Sequence, residues 1–278
     1  MPTIETKDGV RLFYKDWAGS GDAAGKTAVF VHGWPVNADM WEYQMTALTE
    51  AGVRCIAYDR RGFGRSEQPA AGYDYDHFAD DLAALLEQLD LHDVTLIGFS
   101  MGGGEIARYL GRHGAGRIAQ AILVSSVVPF LLKTQDHPEG ADRSVFDGMV
   151  AGLREDRPHF LAEFARGFFG VGMLSKPVST EAMQWTLWLA MQASPIATIQ
   201  CVRAFSETDF RGDLAAFTIP TLVIHGDADQ TVPAAISGKA AAAGIRASIY
   251  TEYPGAPHGL YLTEKERLSR DIAAFILR

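Results

Sequence analysis

Short apolar runs recur along this chain: Thr27–Val31, Val53–Tyr58, Val94–Phe99, Gln120–Val128, Thr221–Ile224 and Ser248–Glu252. A strand stays apolar on both faces only when both are covered, as in a parallel sheet packed between helices. Each run is followed by a polar or glycine-marked loop and then a helical pattern. Phe78, Leu82, Leu85, Leu86 and Leu89 form one stripe at 3.6-residue spacing, behind a first turn holding Asp76, Asp80 and Asp81. Trp41, Met45 and Leu48 form a second stripe, ended by Gly52, and Leu268, Ile272, Phe275 and Ile276 a third. Ahead of all these, Thr3–Thr6 and Val10–Asp16 flank Asp8-Gly9, a two-residue hairpin signal. The expected fold class is α/β, with a mostly parallel eight-stranded sheet and helices on both faces.

From about Val127 to Thr218 the alternation stops. Helix-like stretches continue there (Phe160, Phe164 and Phe168; Trp185 with Trp188), but no strand pattern does. Nine of the 15 Phe and two of the five Trp fall in this segment, and none of the nine Tyr. Aromatics without hydroxyls suit a lid over a non-polar cavity, although any one of them could equally be helical core. The expected organisation is a core of residues 1–126 and 219–278, interrupted by a helical cap at 127–218. Candidate pocket residues are Trp34, Phe130, Phe164 and Trp188.

Composition narrows the function classes. With 25 Lys and Arg against 34 Asp and Glu, the net charge is −9, which disfavours a nucleic-acid or anionic-membrane surface. Only Cys55 and Cys201 occur, far apart, so a disulfide framework or cysteine metal cage is excluded and a reduced compartment fits. Glu5, Lys7, Asp8 and Arg11 do not read as a signal peptide. Ile118–Leu132 is too short to span a bilayer, and Gln184, Gln192, Pro195 and Gln200 interrupt Ala182–Val202. The expectation is a cytoplasmic globular protein with a small-molecule partner, no nucleic acid and no membrane.

The chemistry centres on Gly98-Phe99-Ser100-Met101-Gly102, a G-x-S-x-G between the run Val94–Ile97 and the helix-like Glu105–Leu110. The pattern alone is weak; strand–turn–helix context gives it weight, because a sharp turn there lifts a serine hydroxyl above the sheet edge. Glycines on both sides allow the bend, and the helix behind points its positive end at the reacting centre. Gly103 and Gly104 sit where each costs about 0.8–1.0 kcal/mol relative to Ala in a helix interior, a local inconsistency typical of functional sites.

A nucleophilic serine needs a base, and the base an orienting acid, in the chain order Ser, Asp or Glu, His. Of eight histidines, His32, His77 and His92 precede Ser100, His113 follows in the same helix, His137 and His159 lie in the presumed lid, and His225 is within a strand. Only His258 follows every candidate acid, in the loop Pro254-Gly255-Ala256-Pro257-His258-Gly259. After Thr221–Ile224, the loop His225-Gly226-Asp227-Ala228-Asp229 offers two aspartates. Asp229 lies further into the loop, before Pro233; Asp227 is the alternative, its other role being to hold loop amides. Oxyanion donors are expected at Met101 N–H and in His32-Gly33-Trp34-Pro35, where Pro35 has no N–H and Trp34 is the natural donor. Asp59-Arg60-Arg61-Gly62-Phe63-Gly64-Arg65-Ser66 is basic and glycine-rich but lacks both phosphate-loop patterns, so it reads as a structural turn beside the site.

Together these motifs, with Ala256-Pro257-His258-Gly259, resemble the α/β-hydrolase fold, and within it the cofactor-free haloperoxidase and bacterial aryl esterase branch. They run from near residue 29 to 260. The resemblance implies Ser100, Asp229 and His258 as a catalytic triad, Trp34 and Met101 as oxyanion donors, a helical cap, and no cofactor or metal. It implies hydrolysis of small carboxylic esters, with perhydrolase or haloperoxidase side activity; related enzymes form homo-oligomers, though no self-association signal is readable here. Serine at position 100 sets the chain apart from dehalogenases and epoxide hydrolases of this fold, which carry aspartate there. Lactam hydrolysis, and a binding protein without turnover, remain alternatives. Pro35 is expected to favour peroxide as acyl acceptor, its fixed φ setting where the loop carbonyl points; the base should make the rate rise around pH 6–7.

Overall fold

The computed structural model describes residues 1–19 and 25–278. Eight strands form one sheet: β1 (Thr3–Glu5), β2 (Arg11–Trp17), β3 (Thr27–Val31), β4 (Arg54–Tyr58), β5 (Val94–Phe99), β6 (Ile118–Val124), β7 (Thr221–Gly226) and β8 (Ser248–Tyr253). Their order across the sheet is β1-β2-β4-β3-β5-β6-β7-β8. β1 and β2 pair antiparallel, as does β2 with β4, and every later pair is parallel.

The helices are α1 (Glu42–Glu50), α2 (Tyr75–Gln88), α3 (Met101–His113), α4 (Arg143–Glu155), α5 (Arg157–Phe168), α6 (Thr180–Met191), α7 (Pro195–Glu207), α8 (Gly238–Gly244), α9 (Leu260–Thr263) and α10 (Lys265–Ile276). Alternate strand residues feed two apolar cores. Val29, Val31, Leu96, Leu123 and Val223 pack with the stripes of α2 and α3. Ala28, Phe30, Ile97, Phe99, Ile122 and Ile224 pack with α1 and α10. That is why the runs of β3, β4, β5, β6 and β7 carry no alternation: both their faces are core, whereas β8, at the sheet edge, is only partly buried.

Two runs end differently from expectation. β6 stops at Val124, because Ser125 takes a left-handed φ of 46° and turns the chain off the sheet. Residues 126–128, expected to continue the strand, instead lead toward the helical segment, with Val127 N–H bonded to Ser100 O at 3.3 Å. β7 runs on through His225 and Gly226, paired with Glu252 and Tyr253 of β8. Between β6 and β7 lie α4 to α7 and no named strand among the described residues. No helix among them is long and apolar enough to cross a membrane.

Candidate active site

Ser100 occupies the turn between β5 and α3, with φ 53° and ψ −116°, a strained conformation outside the regular regions. Close packing holds it there. A Cβ on Gly98 would fall 2.6 Å from Gly102 O, and one on Gly102 would overlap Val31 O, so strand, turn and helix interlock only without side chains at both positions. Ser100 N–H donates to Val124 O at 2.9 Å, fastening the turn to β6. The Ser100 hydroxyl lies 3.0 Å from His258 Nε2. His258 leaves the loop after β8, buried, with its ring packed by Phe99 and Phe168, both centroids at 4.9 Å. Its Nδ1 lies 2.7 Å from Asp229 Oδ2. Since Oδ2 is a carboxylate acceptor, Nδ1 carries the hydrogen and Nε2 is left to accept from the serine.

Asp229 follows β7. Its Oδ1 accepts from the amides of Thr231 (2.9 Å) and Val232 (2.8 Å), while Oδ2 accepts from His258 and also from His225 Nε2 at 3.1 Å. Burial alone would push this carboxyl up. Electrostatic attraction to the His258 ring and the hydrogen bonds from His225 and His258 outweigh it and hold Asp229 well below the ordinary carboxylate range. Asp227, the other aspartate of the loop, points elsewhere and accepts from Gly255 N–H at 2.5 Å, tying its turn to the His258 loop.

Trp34 and Met101 flank Ser100, and neither backbone N–H donates to another group among the described residues. The Trp34 side chain is anchored by Nε1–H to Thr198 O at 3.0 Å and meets Phe164 and Phe205 edge-on at 5.2 and 5.7 Å. A cavity of about 450 Å³ opens above Ser100 and His258. Its walls are mostly apolar: Val127, Leu131, Met149, Phe160, Phe164 and Val232 contribute, with Glu163, Gln230 and Thr231 as polar members. Among the described residues no three His, Cys, Asp or Glu are grouped as a metal site requires.

Trp34 and Phe164 therefore line the cavity, but Phe130 and Trp188 do not. Phe130 is buried on the far side of its segment, against His137 (5.4 Å) with the Arg211 guanidinium over its ring (5.3 Å); its neighbour Leu131 faces the cavity instead. Trp188 is 62% exposed, because α6 buries Thr186, Leu189 and Ala190 and turns residue 188 outward. His225 lies within β7 as the sequence leads one to expect, and its spacing four residues before Asp229 is the one sequence signal of their contact.

The basic turn after β4 supports the site without entering it. Arg60 is fully buried, its Nε 2.6 Å from Glu105 Oε2 on α3 and its terminal nitrogen 2.9 Å from His32 O. Arg60 N–H donates to His32 Nε2 at 3.0 Å, and His32 Nδ1–H to Gly33 O at 2.8 Å. Burial, reinforced by the charges of Arg60 and Arg65, pushes His32 well below the usual imidazole range, so its ring is neutral.

An alpha/beta hydrolase fold family model matches residues 27–265. The chain is 44% identical to a non-heme chloroperoxidase of Kitasatospora aureofaciens over 99% of both chains. It is 40% identical to a bifunctional esterase/perhydrolase of Acinetobacter calcoaceticus, again over 99% of both. A solved bromoperoxidase from Bacillus anthracis superposes with a TM-score of 0.94 at 45% identity, covering 100% of this chain and 99% of that one. A parallel sheet with this strand order, a serine at the strand–helix turn and these relatives agree: the chain belongs to the α/β-hydrolase family, in the branch of non-heme haloperoxidases and esterase/perhydrolases.

Proposed function

We propose that this protein is a serine carboxylesterase acting on small aryl or alkyl esters through an acyl-enzyme. The observation that carries the reading is the unbroken relay from Ser100 Oγ to His258 Nε2 (3.0 Å) and from His258 Nδ1 to Asp229 Oδ2 (2.7 Å), at the floor of an apolar cavity. Ser100 attacks the ester carbonyl while His258 takes its proton. The charge that develops on the carbonyl oxygen meets the free amides of Trp34 and Met101, and Asp229 stabilises the imidazolium and fixes its tautomer. His258 returns the proton to the departing alcohol. Water then attacks the acyl-serine, its proton going to His258, and the acid leaves. The helices between β6 and β7 act as the cap, supplying the apolar wall through Met149, Phe160 and Phe164.

Hydrogen peroxide in place of water regenerates the serine and releases a peracid, and the peracid then oxidises halide in solution. The perhydrolase relative and Pro35 beside the oxyanion loop favour this as a side activity. The test is Ser100→Ala assayed on p-nitrophenyl acetate and on acetate with peroxide. Both activities should vanish with the melting temperature unchanged. Activity near the parent's in the folded variant overturns the mechanism.

A further inference from the structure

His225 is the last side chain of β7 before the glycine that opens the acid loop, and it is fully buried. Its Nε2 has two partners, Asp229 Oδ2 at 3.1 Å and Val232 O at 2.9 Å. Both are acceptors, so Nε2 carries the hydrogen, and a single N–H is shared between the carboxylate and the far end of its own loop. Oδ2 is also the oxygen that meets His258. The two oxygens of Asp229 are thus held differently. Backbone amides fix Oδ1, whereas side chains alone hold Oδ2, one from the proposed base and one from His225.

A buried histidine placed only to fill space would have both nitrogens satisfied. His225 does not: its Nδ1 has no hydrogen-bond partner among the described residues, a cost that buried polar atoms rarely carry unopposed. The ring is nevertheless accommodated. Gly238, the first residue of α8, lies against it, and any Cβ there would overlap Nδ1. Ring and glycine are fitted so that Nε2, and not Nδ1, makes the useful contacts.

We propose that His225 is a positioning residue for the ester-hydrolysing centre: its Nε2–H pins Asp229 Oδ2 in line with His258 and clamps the 229–232 loop to β7. The proposal rests on the reading of Ser100, His258 and Asp229 as a triad. His225 touches no substrate, and its effect passes wholly through Asp229.

The experiment measures kcat and KM on p-nitrophenyl acetate for His225→Leu, His225→Gln, Asp229→Asn and the double variant His225→Leu/Asp229→Asn. Leucine removes the donor, while glutamine offers an amide with two N–H groups for the same two acceptors. His225→Leu should lower kcat on the order of 10²-fold, as a misplaced catalytic group does, with KM within about twofold. His225→Gln should recover kcat to within about threefold of the parent. In the Asp229→Asn background, His225→Leu should cost less than about twofold, since the residue through which it acts is already disabled. The proposal is overturned if glutamine is as impaired as leucine, if leucine keeps the parent kcat, or if its cost is undiminished beside Asp229→Asn. Should His225→Leu fail to fold, Gly238→Ala makes the same test from the other side of the ring: kcat falls with KM unchanged, or the proposal fails. Full activity in Asp229→Asn, by contrast, removes the triad reading itself.

Discussion

The Arg60–Glu105 pair offers the sharpest test of how the site is held, because its energetics run opposite to intuition. Both side chains are completely buried, with 2.6 Å between Nε and Oε2. At an effective dielectric of about 20, that separation is worth roughly 6 kcal/mol of attraction. Removing two ions from water costs several kcal/mol each, so the intact pair roughly breaks even against an apolar replacement. Breaking it is different. Glu105→Leu leaves the guanidinium buried without its carboxylate, and should cost about 3–5 kcal/mol. For a chain of this size, that lowers the melting temperature by roughly 5–9 °C. Arg60→Met/Glu105→Leu should recover to within about 2 kcal/mol of the parent, since two apolar side chains then fill the same space. Activity should not recover with stability. Arg60 also donates to His32 O, and His32 in turn donates to Gly33 O, one residue before the Trp34 amide. Losing Arg60 loosens that loop, so the double variant should be stable but slow on p-nitrophenyl acetate. Thermal melts and steady-state kinetics on Arg60→Met, Glu105→Leu and the double variant decide it. A Glu105→Leu melting point within about 2 °C of the parent, or a double variant as unstable as the sum of the singles, refutes the reasoning.

The two aspartates of the acid loop should separate cleanly. Asp229→Asn should lower kcat about 10⁴-fold, whereas Asp227→Ala, which loses only the bond to Gly255 N–H, should stay within about tenfold. Because Asp229 is depressed in the folded protein, its share of stability is complete above the ordinary carboxylate value near 4 and is lost as pH falls through the depressed one. The gap in stability between parent and Asp229→Asn should therefore narrow in urea titrations taken from pH 5 down to pH 2, and a constant gap would contradict that account. Gly102→Ala should cost about 1–3 kcal/mol and slow acylation, because its Cβ would press on the Val31 and His32 carbonyls, which are backbone and cannot step aside. A variant with unchanged melting point and kcat would show that the turn tolerates more than the packing suggests.

Much of this was legible because the strongest signals were local. Strands buried on both faces declare themselves by continuous apolar runs, and Ser100 sits where a run meets a helix. Given the chain order Ser, acid, His, only His258 of the eight histidines follows Ser100 and both loop aspartates outside a strand or the helical segment. What stayed hidden depends on which way a side chain turns after packing. The α6 sequence around Trp188 is apolar on nearly every side, so periodicity could not say which aromatic would face a cavity. His225 resembled any strand residue until the 229–232 loop folded back over it. Arg60 and Glu105 are 45 positions apart and carry no joint signature, yet they couple the loop after β3 to the helix behind Ser100.

Sheet geometry explains why those hidden contacts are needed. Parallel strands deliver all their C-terminal loops to one edge, so β5, β7 and β8 can each contribute one member of the relay there. They are not neighbours, however. With strands about 4.8 Å apart, the ends of β7 and β8 stand roughly 10 and 14 Å from that of β5. The loops bearing Asp229 and His258 must therefore lean back across the end of β6 to reach Ser100. They have room because Ser125 turns the chain after β6 away at once. A loop that leans needs stays, and the structure supplies them one by one: Asp227 holds Gly255, His225 holds Asp229 and Val232, and the Gly259 amide holds Phe168 O at 2.7 Å, fastening the end of the His258 loop to α5. None of these bonds touches a reacting atom. They set the distance across which a proton can move between Ser100 and His258.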